Sequence, residues 1–148
     1  MDYLRVLREN IVLAAVKVYI DGASRGNPGP ASVGIVFKSA DGVTLKKKGT
    51  RIGANTNNVA EYMALVLALQ QALMDGVKEL DVFTDSELLA KQFNGDYKVR
   101  EESLRLLFLL ATHLKQGFKK LAVAHIPREQ NKLADEEANR ALDQEFFL

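Results

Sequence analysis

Val16-Lys17-Val18-Tyr19-Ile20-Asp21-Gly22-Ala23-Ser24-Arg25-Gly26-Asn27-Pro28-Gly29-Pro30 is the stretch on which the fold turns. Apolar and other residues alternate from Val16 to Ile20, which predicts a strand, and the Gly- and Pro-dense run through Pro30 predicts a tight loop. Ala31 to Lys38 is β-branched and apolar enough for a second strand. Asp41-Gly42 is a hairpin turn signal, and Val43 to Ile52 supplies a third strand. Short turns make these three strands antiparallel neighbours. The period changes at Asn55-Thr56-Asn57-Asn58, which offers N-cap chemistry, and Val59 to Met74 reads as a largely buried helix closed by Gly76. Leu80 to Thr84 is a short strand, Ser86 to Phe93 a short helix, and a longer helix runs from Glu101 to near Lys115. Lys120 to Ile126 is the last strand and Asn131 to near Asp143 the terminal helix. Strands that return through helices pair in parallel. The expectation is an α/β fold with a five-stranded mixed sheet, three antiparallel strands and then two parallel ones, flanked by helices.

Composition agrees with one domain. A chain of 148 residues, 47% hydrophobic and 26% charged, can bury a core without disulfide or zinc staples. The absence of Cys excludes thiol nucleophiles, Cys-ligated zinc and thiol redox chemistry. The longest apolar stretches, Ile11 to Val16 and Met63 to Leu69, fall far short of the ~20 residues a membrane helix requires. No secretory signal pattern opens the sequence, so a cytoplasmic protein without membrane contact is expected. A net charge of +1 does not by itself announce a nucleic-acid partner, although Lys46, Lys47, Lys48 and Arg51 crowd one segment. No repeat or linker divides the chain, which is read as a domain over 16–148 after a leader over 1–15. In the leader Leu4, Leu7, Ile11 and Ala14 recur at helical spacing, and Phe146-Phe147-Leu148 makes an apolar end.

Four carboxylates stand where folding alone explains them poorly. Asp21 ends an apolar strand before a glycine, and Asp85 does the same after the fourth strand. Glu61 interrupts the apolar run of the long helix on the stripe of Leu65 and Leu69. Asp135 lies early in the terminal helix beside Ala134. Taken singly, Asp21 and Asp85 read more readily as caps than as ligands, Glu61 as a surface residue and Asp135 as a favourable first-turn charge. Carboxylates at the ends of neighbouring parallel strands lie about 4.8 Å apart. Like charges that close are either a metal site or a protonated network. All-oxygen donors favour Mg²⁺ or Mn²⁺, and two such ions are the usual machinery for displacement at a phosphodiester.

The run from Tyr19 to Pro30 resembles the opening signature of type 1 ribonuclease H. Thr56-Asn57-Asn58-Val59-Ala60-Glu61 resembles that family's helix-start motif, Thr84-Asp85-Ser86 its third acidic block, and Asn131-Lys132-Leu133-Ala134-Asp135 its last. Four blocks in register cover the chain from Val16 to Leu142. The resemblance implies a ribonuclease H-like fold and endonucleolytic cleavage of the RNA strand of an RNA/DNA hybrid, leaving 5′-phosphate and 3′-hydroxyl ends. It implies Asp21, Glu61, Asp85 and Asp135 as ligands of two Mg²⁺ ions, with Mn²⁺ a substitute. In that arrangement Asp21 bridges both ions, Asp135 completes the water-activating site, and Glu61 with Asp85 holds the leaving-group ion. Asn27, Asn57 and Asn58 match minor-groove contacts, and Thr56 with Asn27 matches a pocket for a DNA-strand phosphate. Gly22, Ser24 and Asn131 complete the expected substrate contacts. No obligate protein partner is indicated, and a monomer is expected.

Several positions depart from the family pattern. Phe93 to Val99 passes directly to the next helix, without the basic, Trp-bearing protrusion of many members, and the chain has no Trp, as in a short branch of the family. Glu87 stands where many relatives carry Gln. His125 falls at the distance from Asp135 of a loop histidine that aids turnover, yet it lies in an apolar strand and is read as structural, like His113. Arg128 is better placed to approach the scissile phosphate. A noncatalytic hybrid-binding module is the competing class, and four intact acidic positions argue against it. A junction resolvase or proofreading exonuclease is disfavoured by the Asp-Gly block and by the lack of an Asp-x-Glu opening.

Overall fold

The computed structural model describes residues 15–144, so all of the leader but Ala15, and the Phe146 to Leu148 end, lie outside the described residues. The elements are β1 (Ala15–Ser24), β2 (Gly29–Ser39), β3 (Thr44–Asn55), α1 (Asn57–Met74), β4 (Glu79–Thr84), α2 (Glu87–Phe93), α3 (Glu102–Lys115), β5 (Lys120–His125), a 3₁₀ turn (Arg128–Gln130) and α4 (Lys132–Asp143). The five strands form one sheet in the order β3-β2-β1-β4-β5. β1 pairs antiparallel with β2, and β2 with β3, whereas β1 pairs parallel with β4, and β4 with β5. The expected mixed sheet is therefore present. Among the described residues no helix is long and apolar enough to cross a membrane.

The antiparallel strands outrun their predicted ends. β1 continues through Asp21 to Ser24 because Gly22, Ala23 and Ser24 pair with Val33, Ser32 and Ala31, and β2 begins at Gly29 because Gly29 and Pro30 pair with Asn55 and Ala54 of β3. Residues that look like loop in isolation become strand once a ladder partner satisfies their backbone groups. The connection that remains is short. Ser24 Oγ donates to the Asn55 carbonyl at 2.8 Å, and the Arg25 N–H donates to the Pro30 carbonyl at 2.8 Å.

Alternation along β1 and β2 sends two sets of side chains to opposite faces. Val16, Val18 and Ile20 of β1 join Val33, Ile35 and Phe37 of β2 in a core closed by α1, α2 and α3, with Leu65 and Leu69 fully buried. The other face is covered by α4 through small residues, Ala134, Ala138 and Ala141, all at most 2% exposed. Close packing there depends on two glycines that are direct partners across β2 and β3, Gly34 and Gly49. A Cβ at Gly34 would stand 2.0 Å from the Ala134 carbonyl oxygen, and one at Gly49 2.5 Å from that of Glu137. Ser32 Oγ adds a hydrogen bond of 2.6 Å to the Ala138 carbonyl. On the α1 face Gly22 has the same function, since a Cβ there would meet the Ala60 carbonyl carbon at 2.3 Å. Replacing Gly34 by Ala must push α4 off the sheet, and overpacking of this kind costs about 1–3 kcal/mol. Urea denaturation of Gly34→Ala is expected to show that loss.

Candidate active site

β1 and β4 are parallel neighbours, and Ile20 pairs with Thr84 at the end of their ladder. The next residues are Asp21 and Asp85, so strand register alone sets these two carboxylates side by side. Glu61 arrives from the first turns of α1, which the absence of a side chain at Gly22 allows to lie against β1. The Gly22 backbone N–H hydrogen-bonds the Glu61 carboxylate. One oxygen from each of Asp21, Glu61 and Asp85 lies within 4.8 Å of the others. Asp135 comes from α4, and its charge near Asp21 adds to the upward push on the Asp21 carboxyl. Asp21 and Glu61 are each 5% exposed, whereas Asp85 and Asp135 are half-buried.

Burial governs the electrostatics. Withdrawal from water pushes the Asp21 carboxyl up to about 8, with the Asp85 charge as the next cause. Glu61 is also held well above the carboxylate range, first by burial and then by Asp21. Glu61 Oε2 is buried and has no hydrogen-bond partner. An orphaned carboxylate oxygen among clustered acids is a costly arrangement for folding, and a hard divalent cation relieves both the repulsion and the unmet oxygen. The donor set is all oxygen, and it fits Mg²⁺ or Mn²⁺.

The four acidic residues line one open cavity of about 410 Å³, together with Arg128. Gly22, Ser24 and Asn57 also line it. Asn27, Thr56 and Asn58 do not; Thr56 and Asn58 flank Asn57 at the start of α1, and Asn27 lies in the β1–β2 connection. Asn27 Oδ1 accepts from the Asn57 N–H at 3.1 Å, and Thr56 caps the helix by accepting from Val59 N–H at 3.2 Å. The loop residue and the helix terminus thus form one polar patch.

Asn131, expected among the substrate contacts, is placed elsewhere. It is 1% exposed, and its Nδ2 donates to the Ile20 carbonyl at 2.8 Å. A buried amide tied to β1 cannot reach a duplex; it braces the start of α4 against the residue before Asp21. His125 also differs from its structural reading. Only Val123 of β5 is buried, because β5 is an edge strand, and His125 is exposed at its end. His113 is exposed on α3. Four cavity residues are not among the expected site residues, Ala23, Arg25, Ser86 and Asn139. Asn139 lies one turn after Asp135, and its Nδ2 donates to the Asp135 carbonyl at 3.0 Å and to its Oδ1 at 3.3 Å. The spacing i, i+4 from Asp135 was the available signal.

Comparison with known proteins agrees with this geometry. A family model described as reverse transcriptase-like matches residues 19–141. Ribonuclease HI of Halobacterium salinarum is 44% identical over 128 residues, 86% of this chain and 64% of that protein. A bifunctional protein of Mycobacterium tuberculosis is 41% identical over 129 residues, 86% of this chain and 35% of that protein. The chain thus spans less than two thirds of the length of these curated relatives. The crystal structure of the Halobacterium salinarum RNase H1 superposes with a TM-score of 0.85 at 44% identity, covering 87% of this chain and 98% of that one. LC11-RNase H1, solved in complex with an RNA/DNA hybrid, gives a TM-score of 0.83 at 44% identity over 86% and 96% of the two chains. The strand order that joins Asp21 to Asp85 and these matches across the same residues lead to one assignment: the chain belongs to the ribonuclease H family.

Proposed function

We propose that the protein is a metal-dependent endoribonuclease that hydrolyses the RNA strand of RNA/DNA hybrids, leaving 5′-phosphate and 3′-hydroxyl ends. The observation that carries this reading is the meeting of Asp21 of β1, Glu61 of α1 and Asp85, the residue after β4, within 4.8 Å. Family membership supports it, as does the hybrid bound to the similar LC11 enzyme. Asp21, Glu61, Asp85 and Asp135 are the residues that would hold two Mg²⁺ ions, with Mn²⁺ as a substitute. Bound there, the metal supplies water activation and stabilisation of the leaving oxygen.

The remaining work falls to the chain. Asp21 on a strand paired on both sides, and Glu61 on a packed helix, form a ligand set that is rigid before substrate arrives. Asn27, Thr56, Asn57 and Asn58 present amides and a hydroxyl beside the cavity. Such groups can donate and accept toward base edges and the 2′-hydroxyl that distinguishes RNA from DNA. Gly22 and Ser24 line the same cavity, where they would face the duplex backbone. Arg128 offers a cation to the scissile phosphate, a charge-assisted contact. All four carboxylates come from one chain, which is compatible with a monomer as the acting form and with residues 16–148 as the catalytic domain.

An end-labelled RNA/DNA hybrid incubated with Mg²⁺ or Mn²⁺, beside single-stranded RNA, double-stranded RNA and DNA duplex, tests the activity. Selective cutting within the RNA strand is expected, lowered about a thousandfold in Asp21→Asn, some 4 kcal/mol of barrier. Binding without cutting under both metals would sink the proposal. The same variant has a second readout. With the Asp21 carboxyl raised to about 8 in the folded state, its protonated form adds stability below its ordinary value near 4. That contribution is lost as pH climbs from about 4 to about 8. In EDTA, Asp21→Asn is therefore expected to exceed wild type in stability at pH 8 by about 1–2 kcal/mol, several degrees of Tm, and by much less at pH 4. Equal melting at both pH values would contradict the burial argument. Arg128→Ala is expected to lower kcat/KM about tenfold. An unchanged rate and metal dependence would remove Arg128 from the site.

A further inference from the structure

We propose that Arg25 is a substrate-contacting residue that grips a backbone phosphate a few nucleotides from the scissile bond, and that Asp143 holds the same guanidinium when no nucleic acid is bound. This rests on the hybrid-nuclease reading of the carboxylate site. Arg25 lines the cavity of Asp21, Glu61, Asp85 and Asp135, and with Arg128 it is one of two basic side chains in that lining among the described residues. A polyanion approaching four carboxylates needs cations at the rim.

The backbone of Arg25 is fixed. Its N–H donates to the Pro30 carbonyl at 2.8 Å, and a Cβ at Gly29 would stand 2.5 Å from the Arg25 carbonyl oxygen. The preceding ladder runs to Ser24, so the side chain leaves a rigid strand end. Its present partner is Asp143, paired at 2.5 Å through Nη2, with the two side chains 47% and 65% exposed. Exposed ion pairs contribute little to stability, so the contact is exchangeable. The single-point contact leaves most of the guanidinium fork for a phosphate, which it matches with two parallel hydrogen bonds.

Two independent lengths place the pair. Arg25 is four strand residues beyond Asp21, about 13 Å at ~3.3 Å each. Asp143 is eight helical residues beyond Asp135, about 12 Å at ~1.5 Å each. A separation of about 13 Å spans more than one phosphate of a duplex strand, so Arg25 would meet the backbone a few nucleotides from the cut. Asp135, Asn139 and Asp143 recur every fourth residue along one face of α4, and that face leads from the carboxylates to Arg25.

The test measures hybrid binding in EDTA from about 50 to 200 mM salt, and Mg²⁺-dependent cleavage, for the full chain and its Arg25→Ala, Arg25→Lys and Asp143→Asn variants. Arg25→Ala is expected to weaken binding about tenfold and to lower the slope of log K against log salt by about 0.9. KM should rise by a similar factor with kcat within about twofold, and Arg25→Lys should fall between. Asp143→Asn, which frees the guanidinium, should tighten binding. A brace between loop and helix would be damaged equally by Arg25→Ala and Asp143→Asn with no change in slope, and that result overturns the proposal. A wild type that cuts hybrid while Arg25→Ala matches it in affinity removes only the role of Arg25. A wild type that neither binds nor cuts hybrid removes the nuclease reading, and this proposal with it.

Discussion

Two helices approach the sheet closely because glycine stands beneath them, and the rest of the site depends on that contact. Gly22 lets α1 touch β1 and delivers Glu61; Gly34 and Gly49 let α4 settle on β2 and β3 and deliver Asp135. Asp21 and Gly34 are direct partners in the antiparallel ladder. The carboxylate and the gap that seats α4 therefore occupy the same rung. A methyl group at any of these contacts would stand 2.0–2.5 Å from a backbone atom, far inside van der Waals contact, so the ligand geometry is set by backbone packing rather than by side-chain choice.

The same packing creates the electrostatic difficulty that defines the site. Strand register and helix seating bring acids together while the core withdraws two of them from water. Without a cation the cluster must hold protons that carboxylates ordinarily release near pH 4. The fold tolerates this because Asp21 and Glu61 belong to its most heavily packed elements, where the surrounding core offsets the local penalty. Function and stability thus pull on the same residues in opposite directions.

Much of the fold, and the meeting of Asp21, Glu61 and Asp85, was legible in the sequence, for physical reasons. Asp21 and Asp85 end apolar strands, and Glu61 breaks an apolar stripe, so each contradicts its local pattern. Strand positions were also legible, though their ends were not, since Gly22 to Ser24 are made strand only by pairing with β2, and Gly29 to Pro30 only by pairing with β3. Asn131 was misplaced for a related reason. Its neighbours in sequence are polar, and nothing local indicates that the Ile20 carbonyl lies above it. Arg25 and Asn139 were missed because they become part of the cavity only when α4 lies beside the end of β1. His125 shows the converse, since an apolar-looking strand at the sheet edge buries one residue alone.

Asp21 lies inside a continuous strand, with partners in β2 on one side and the end of the β4 ladder on the other. A strand has two faces, and a slip of one residue exchanges them. Were β1 to dock one position out of step, Asp21 would point into the α1 face and Gly22 would take its place above α4. The apolar residues Val16, Val18 and Ile20 would leave the core at the same moment. Assembly of the metal ligands and correct threading of the central strand are consequently one event during folding. A chain that has reached its compact state with the core intact has, by that fact, also placed its first carboxylate.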